Sequence, residues 1–172
     1  MNITQALQAK RPEVAQMAAH LVRYQYDQLV KKLGKSMQEV ANSVCYRVWD
    51  ETVRPVCKRV PTGEKVHGRD VFEWELNEEA LARFADKQAG LVVEAWQAKI
   101  QEKLGELEDG QVQDVTNHQY RITGKRDGAE VRIEQSMIIN VSGKGKLFNQ
   151  FPARIYVDGK FMSAAKYKAR FS

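Results

Sequence analysis

The chain has 172 residues, 43% of them hydrophobic and 28% charged, with a formal net charge of +5. These proportions exclude disorder and collagen, and the length suffices to bury a core without staples. No stretch approaches the roughly 18 uninterrupted apolar residues of a membrane span, and residues 1–11 lack the apolar run of a secretory signal, so the expected location is the cytoplasm.

In chain order, helices come first. Pro12 suits the first turn of a helix, where its missing N–H costs nothing. Val14, Ala18, Leu21, Val22, Tyr26, Leu29, Val30 and Leu33 then recur at the spacing of one buried helical face, and Gly34 is a stop signal. Ser36-Met37-Gln38-Glu39 has the form of a capping box and predicts a second helix from Met37 to about Thr52, ended or kinked by Pro55. Residues 61–69 carry turn residues and charge. Val71, Phe72, Trp74 and Leu76, with Glu73 and Glu75 between, predict a short strand. Asn77 reads as the N-cap of a long helix to about Leu104, with Gly105 as C-cap. Its apolar stripe is read as Leu81, Phe84, Gln88, Leu91 and Ala95, widened by Ala85, Val92, Trp96 and Ile100.

From Gln111 onward the pattern changes to β-rich segments. A strand is expected over 118–125, and Arg126-Asp127-Gly128 is a turn. Val131, Ile133, Gln135, Met137, Ile139 and Val141 share one face of the next strand; Arg132, Glu134, Ser136 and Asn140 share the other. Ser142 to Lys146 is a glycine loop. Residues 154–157 form a strand, and Asp158-Gly159 is the strongest hairpin signal in the chain. Ser163 is placed to cap a short basic helix. The expected fold is α+β: N-terminal helices with a short strand, then an antiparallel β-sheet of three to five strands with hairpins and a short C-terminal helix. It is read as a single domain, helical over about 1–110 and β-rich over about 111–172. Trp49, Trp74 and Trp96 are expected to mark its core.

Catalytic patterns are sparse. Cys45 and Cys57 fit neither a disulfide framework nor a zinc pattern, and His20, His67 and His118 are scattered, so no metal or cofactor is expected. His20 falls on or beside an apolar helical face and reads as structural. Glu73 and Glu75 read as a solvated strand face opposite Phe72, Trp74 and Leu76. Thr123-Gly124-Lys125 and Gly143-Lys144-Gly145-Lys146 lack the glycine spacing of a phosphate loop. Ser36 to Arg47 resembles the first half of a helix-turn-helix but has no glycine turn after it. The titratable groups form no convergent cluster, which points away from an enzyme.

Charge is the informative feature. Residues 1–117 hold 16 Lys+Arg against 18 Asp+Glu; residues 118–172 hold 11 against 4, a balance of +7. Such asymmetry points to an anionic partner. The candidate nucleic-acid-binding residues are Arg121, Lys125, Arg126, Lys144, Lys146, Arg154, Lys166, Lys168 and Arg170. Glycine-flanked lysines suit phosphate, and Tyr167 and Phe171, interleaved with the last three cations, suit stacked bases. Phe148, Phe151 and Phe161 are the candidate anchors for a protein partner.

The stretch from Gln135 to Tyr167, centred on Asn140-Val141-Ser142-Gly143-Lys144-Gly145-Lys146-Leu147-Phe148-Asn149-Gln150-Phe151-Pro152-Ala153-Arg154, is similar to stretches in uncharacterised small proteins of tailed bacteriophages and prophages. The resemblance implies a phage setting in a host cytoplasm and carries no functional residues with it. Three jobs follow as expectations: a non-catalytic protein whose basic β-rich face contacts nucleic acid or a nucleic-acid-bearing host complex; a protein-directed inhibitor of a host enzyme or defence system; or an oligomeric virion component packed through the long helix.

Overall fold

The computed structural model describes residues 2–31, 48–116, 119–139, 148–150 and 153–172. The readings at Gly34, the Ser36–Glu39 box, Cys45, His118, the 142–146 loop and Pro152 lie outside them. The chain forms two compact units, one built on Pro12–Ala89, the other on Met1–Arg11, Gly90–Ile139 and Phe148–Ser172.

The first unit begins with α2 (Arg11–Tyr26), after a separate short helix α1 (Ile3–Ala9) that belongs to the second unit. Val14, Ala18, Leu21, Val22 and Tyr26 are buried, as the periodicity requires, while His20 is exposed rather than structural. Two π-helical turns (Asp27–Lys31 and Trp49–Val53) and a 3-10 turn at Arg54–Val56 follow among the described residues. Tyr26, Leu29, Val48, Trp49 and Val53 form a core cluster, against which Cys57, Trp74 and Leu76 pack. Trp49 and Trp74 meet edge to face, their centroids 5.4 Å apart, a favoured arrangement for aromatic quadrupoles.

Residues 61–69 are not the loop that their composition suggests. They form most of one arm and the tip of a hairpin, β1 (Cys57–Val66) with β2 (Arg69–Leu76), antiparallel. Most side chains of β1 are solvent-exposed on both faces, so no apolar alternation marks the strand. A register irregularity between Pro61 and Lys65 accommodates the proline. The Thr62 hydroxyl donates to the Val71 carbonyl at 3.1 Å across the arms. Trp74 and Leu76 face the core, but Phe72 does not join them; it is exposed and lies under the Arg59 guanidinium, 4.2 Å from its ring centre.

The long helix α3 (Glu78–Gly105) starts at Asn77, whose side-chain oxygen accepts from the backbone N–H of Glu79 and Ala80 at 3.2 and 3.3 Å. Its buried residues are Leu81, Ala85, Ala89, Val92, Val93, Trp96 and Ile100. The stripe through Leu91 and Ala95 is therefore corrected: both are exposed. Two helical rows one residue apart compete, and the one with Trp96 and Ile100 removes more apolar area from water.

The second unit holds an antiparallel sheet with the order β3-β4-β5-β7-β8, and β6 also pairs with β5. The strands are β3 (Glu108–Thr116), β4 (Gln119–Arg126), β5 (Ala129–Ile139), β6 (Phe148–Gln150), β7 (Arg154–Val157) and β8 (Lys160–Met162). The fold is thus α+β. Asp127-Gly128 and Asp158-Gly159 turn both predicted hairpins, with φ of 49° and 77°, then 49° and 76°. Positive φ at both central positions matches the twist of the flanking strands, and Asp and Gly tolerate it. One sheet face is buried: Tyr120, Ile122, Val131, Ile133, Gln135, Ile155 and Val157. The C-terminal helix α4 (Ala164–Arg170) is capped by Ser163, whose hydroxyl accepts from the Lys166 N–H at 3.3 Å.

Candidate nucleic-acid interface

Strand parity sorts the basic residues of the second unit. On β4, Tyr120 and Ile122 point into the core, so Arg121, Thr123 and Lys125 point out and Arg126 points in. On β5, Glu130, Arg132 and Glu134 point out; on β7, Arg154 and Tyr156 do. The pairing register then sets these residues in rows across the outer face. One row is Gln113, Arg121, Glu134 and Arg154. The next is Gln111, Thr123, Arg132, Tyr156 and Phe161.

Glu134 is the electrostatic centre of the first row. Its side chain is only 12% exposed, and Arg121 reaches it through Nε and Nη2, both at 3.0 Å. Arg132 Nε lies 3.6 Å from the same oxygen, and Arg154 is its register partner on β7. Lys125 is flanked in register by Glu108 and Glu130. The outer strand positions therefore carry four cations, Arg121, Lys125, Arg132 and Arg154, against three carboxylates, Glu108, Glu130 and Glu134.

The second row is a cation–aromatic array. The Arg132 guanidinium sits 4.2 Å from the Tyr156 ring centre, and Tyr156 meets Phe161 edge to face at 6.0 Å. Phe161 is 67% exposed, the most of any large hydrophobic residue among those described. Beside this row lies an open groove of about 430 Å³ whose lining includes Asp109, Gln111, Thr123, Lys125, Glu130, Arg132 and Tyr156.

Arg126 has a different task. It donates to Glu106 and to the Tyr167 hydroxyl, each at 3.2 Å, and to the Phe171 carbonyl at 2.9 Å. Tyr167 is buried and Phe171 half-buried, and Arg126 lies over both rings. These two aromatics serve the fold on the inner side of the sheet rather than presenting stacking surfaces. Lys166, Lys168 and Arg170 are exposed on α4, and Arg170 comes within 3.8 Å of Asp158. Lys144, Lys146 and Phe151 lie outside the described residues; of Phe148 only the backbone is described, in β6.

Arg132 and Tyr156 were not among the candidate residues read from the sequence. Arg132 is legible as an outward residue of β5, but its neighbour Tyr156 is set by a register that joins strands separated by the 140–153 connection. Elsewhere, Glu73 and Glu75 are both exposed on the β1–β2 hairpin, with Glu75 3.9 Å from Lys58. Among the described residues no three His, Cys, Asp or Glu side chains gather as a metal site, and no described helix is long and apolar enough to cross a membrane. No family model, curated protein or solved structure matches the chain.

Proposed function

We propose that the outer face of the large sheet binds nucleic acid without catalysis. The observation that carries this reading is the shared face of Arg121, Lys125, Arg132 and Arg154 with the exposed ring of Phe161. Arginine forks donate in a plane to phosphate oxygens, and three such forks with one lysine on one sheet face are enough to follow a backbone. Lys166, Lys168 and Arg170 add to the positive field of the same unit. Arg126 is left out, because its donors are engaged within the fold.

Fluorescence anisotropy with labelled oligonucleotides at about 50 and 200 mM salt tests the reading. Four phosphate contacts predict a loss of roughly 100-fold across that range. Binding that ignores salt, or none at the lower concentration, rejects it.

A second reading is a protein-directed inhibitor of a host enzyme or defence system. The exposure of Phe161 favours it, since aromatic side chains anchor such surfaces. Phe161, however, stands at the end of a row of polar and cationic residues rather than in an apolar patch, which favours the first reading. Capture of one protein from a nuclease-treated bacterial lysate, lost on Phe161→Ala, supports the second.

A further inference from the structure

We infer that the occupant of this face is single-stranded nucleic acid, with at least one base stacked on Phe161; the inference rests on the nucleic-acid reading above. Exposing a phenylalanine ring to water is unfavourable, and the other aromatics of the unit show how it is usually avoided. Tyr156 is covered by Arg132, and Phe171 by Arg126 and Arg170. No described cation covers Phe161, which meets only Tyr156 among the described rings, edge to face, and remains 67% exposed. Its ring is left open at the margin of a cationic face.

A duplex hides its base faces inside the stack and shows only groove edges and phosphates. A single strand offers the base face itself, and every base has one. The row Arg132–Tyr156–Phe161 crosses three neighbouring strands, about 10 Å in all. That is room for a base on Phe161 and a second against the guanidinium of Arg132, which also presents a planar surface. Arg121 and Arg154 lie one row away, two residues along β4 and β7, where a backbone following the stacked bases would bring its phosphates. Thr123 and Gln111 line the adjoining groove and offer donors and acceptors to a base edge.

The probes are a labelled 12-nucleotide oligo-dT, the matching oligo-U, and a 12-base-pair duplex, each titrated with the full chain and with Phe161→Ala and Phe161→Tyr. The expected result is tighter binding of the single strands than of the duplex. Phe161→Ala weakens single-strand binding about tenfold or more, leaves the salt slope unchanged, and Phe161→Tyr restores it. Because the residue is exposed, the thermal unfolding of the variants should match that of the parent. Equal binding of duplex and single strands, unaffected by Phe161→Ala, overturns the stacking inference and leaves the basic-face reading standing. Binding of none of the probes at about 50 mM salt overturns both.

Discussion

Arg126 joins the sheet to the C-terminal helix: its Nη1 donates to the Tyr167 hydroxyl at 3.2 Å while the guanidinium lies over the Tyr167 ring. The hydrogen bond to Tyr167, followed by the charges of Glu106 and Asp127, holds its pKa above the ordinary arginine value. Three acceptors, two of them side chains, converge on one fork. Arg126→Ala should therefore destabilise the protein by about 2 kcal/mol, because a charged donor is lost and partly buried acceptors are left without it. Arg126→Lys should recover little, since an ammonium does not reproduce the planar geometry. Chemical denaturation measures both. If Arg126→Ala instead leaves stability intact and lowers nucleic-acid affinity as much as Arg121→Ala, the residue belongs to the interface after all.

The contrast between Arg126 and Lys125 shows which part of the site was legible in sequence. Both stand at the end of β4, beside the Asp127-Gly128 turn, and charge alone treats them alike. Strand alternation separates them, but only once a neighbour's burial assigns inside and outside. Signals confined to a few residues were readable: Asn77 and Ser163 as caps, Asp127-Gly128 and Asp158-Gly159 as turns. The Asn2 and Gln5 capping box of α1 is equally local, and the pattern Asn-x-x-Gln was there to find it. Arg126 meeting Tyr167, 41 residues on, and Arg132 meeting Tyr156 were not readable. They depend on strand order and register, which are tertiary choices. The buried row of α3 was largely readable, through Leu81, Ala85, Val92, Trp96 and Ile100, but the adjacent row through Leu91 and Ala95 is apolar too, and only packing selects between them.

Glu134 restrains the interface. It engages Arg121 and Arg132 while standing beside Arg154. Glu134→Gln removes one negative charge from the centre of the face and strengthens the field that Arg121 and Arg132 offer to a phosphate. Affinity for oligonucleotides should rise several-fold at low salt, and the gain should shrink as salt rises. The cost is lost support for Arg121 and Arg132, to be followed by thermal unfolding. Unchanged affinity at low salt would place the nucleic acid away from this row.

The hydroxyl of Tyr26 donates to the Trp74 carbonyl at 2.9 Å and ties α2 to the hairpin strand β2. Tyr26 and Trp49 are buried in the same cluster. Tyr26→Phe keeps the ring and should cost about 1 kcal/mol in denaturant unfolding, the worth of one neutral hydrogen bond. Trp74→Ala should cost more, about 3 kcal/mol, because the edge-to-face contact with Trp49 goes with the apolar area. Neither change should alter nucleic-acid affinity per folded molecule if binding belongs to the outer face of the large sheet.

Asn77 carries the first turn of the 28-residue helix α3. Asn77→Ala leaves the amides of Glu79 and Ala80 without that acceptor and should lower stability by about 1 kcal/mol; Asn77→Asp should retain it. Equilibrium denaturation of the two variants separates loss of the cap from a general effect of substitution.

Cys57 packs half-buried against the Trp49 cluster, and that burial pushes its thiol from 9.0 up to about 11. At pH 8 a thiol of that pKa holds roughly 100-fold less thiolate than an ordinary one. Alkylation by iodoacetamide, followed on the peptide containing Cys57, should be slow in the folded protein. Its rate should keep rising with pH beyond 9 instead of levelling there. The same shift acts on stability. Between pH 9 and about 11 the folded thiol keeps the proton that the unfolded chain has released. The folded state then binds more protons, so this contribution is fully present below pH 9 and is lost as pH climbs toward 11. Replacing Cys57 with Ser removes the alkylation signal and, with it, this part of the alkaline fall in denaturation midpoint. A plateau in the alkylation rate near pH 9 would mean that the thiol meets solvent despite its neighbours.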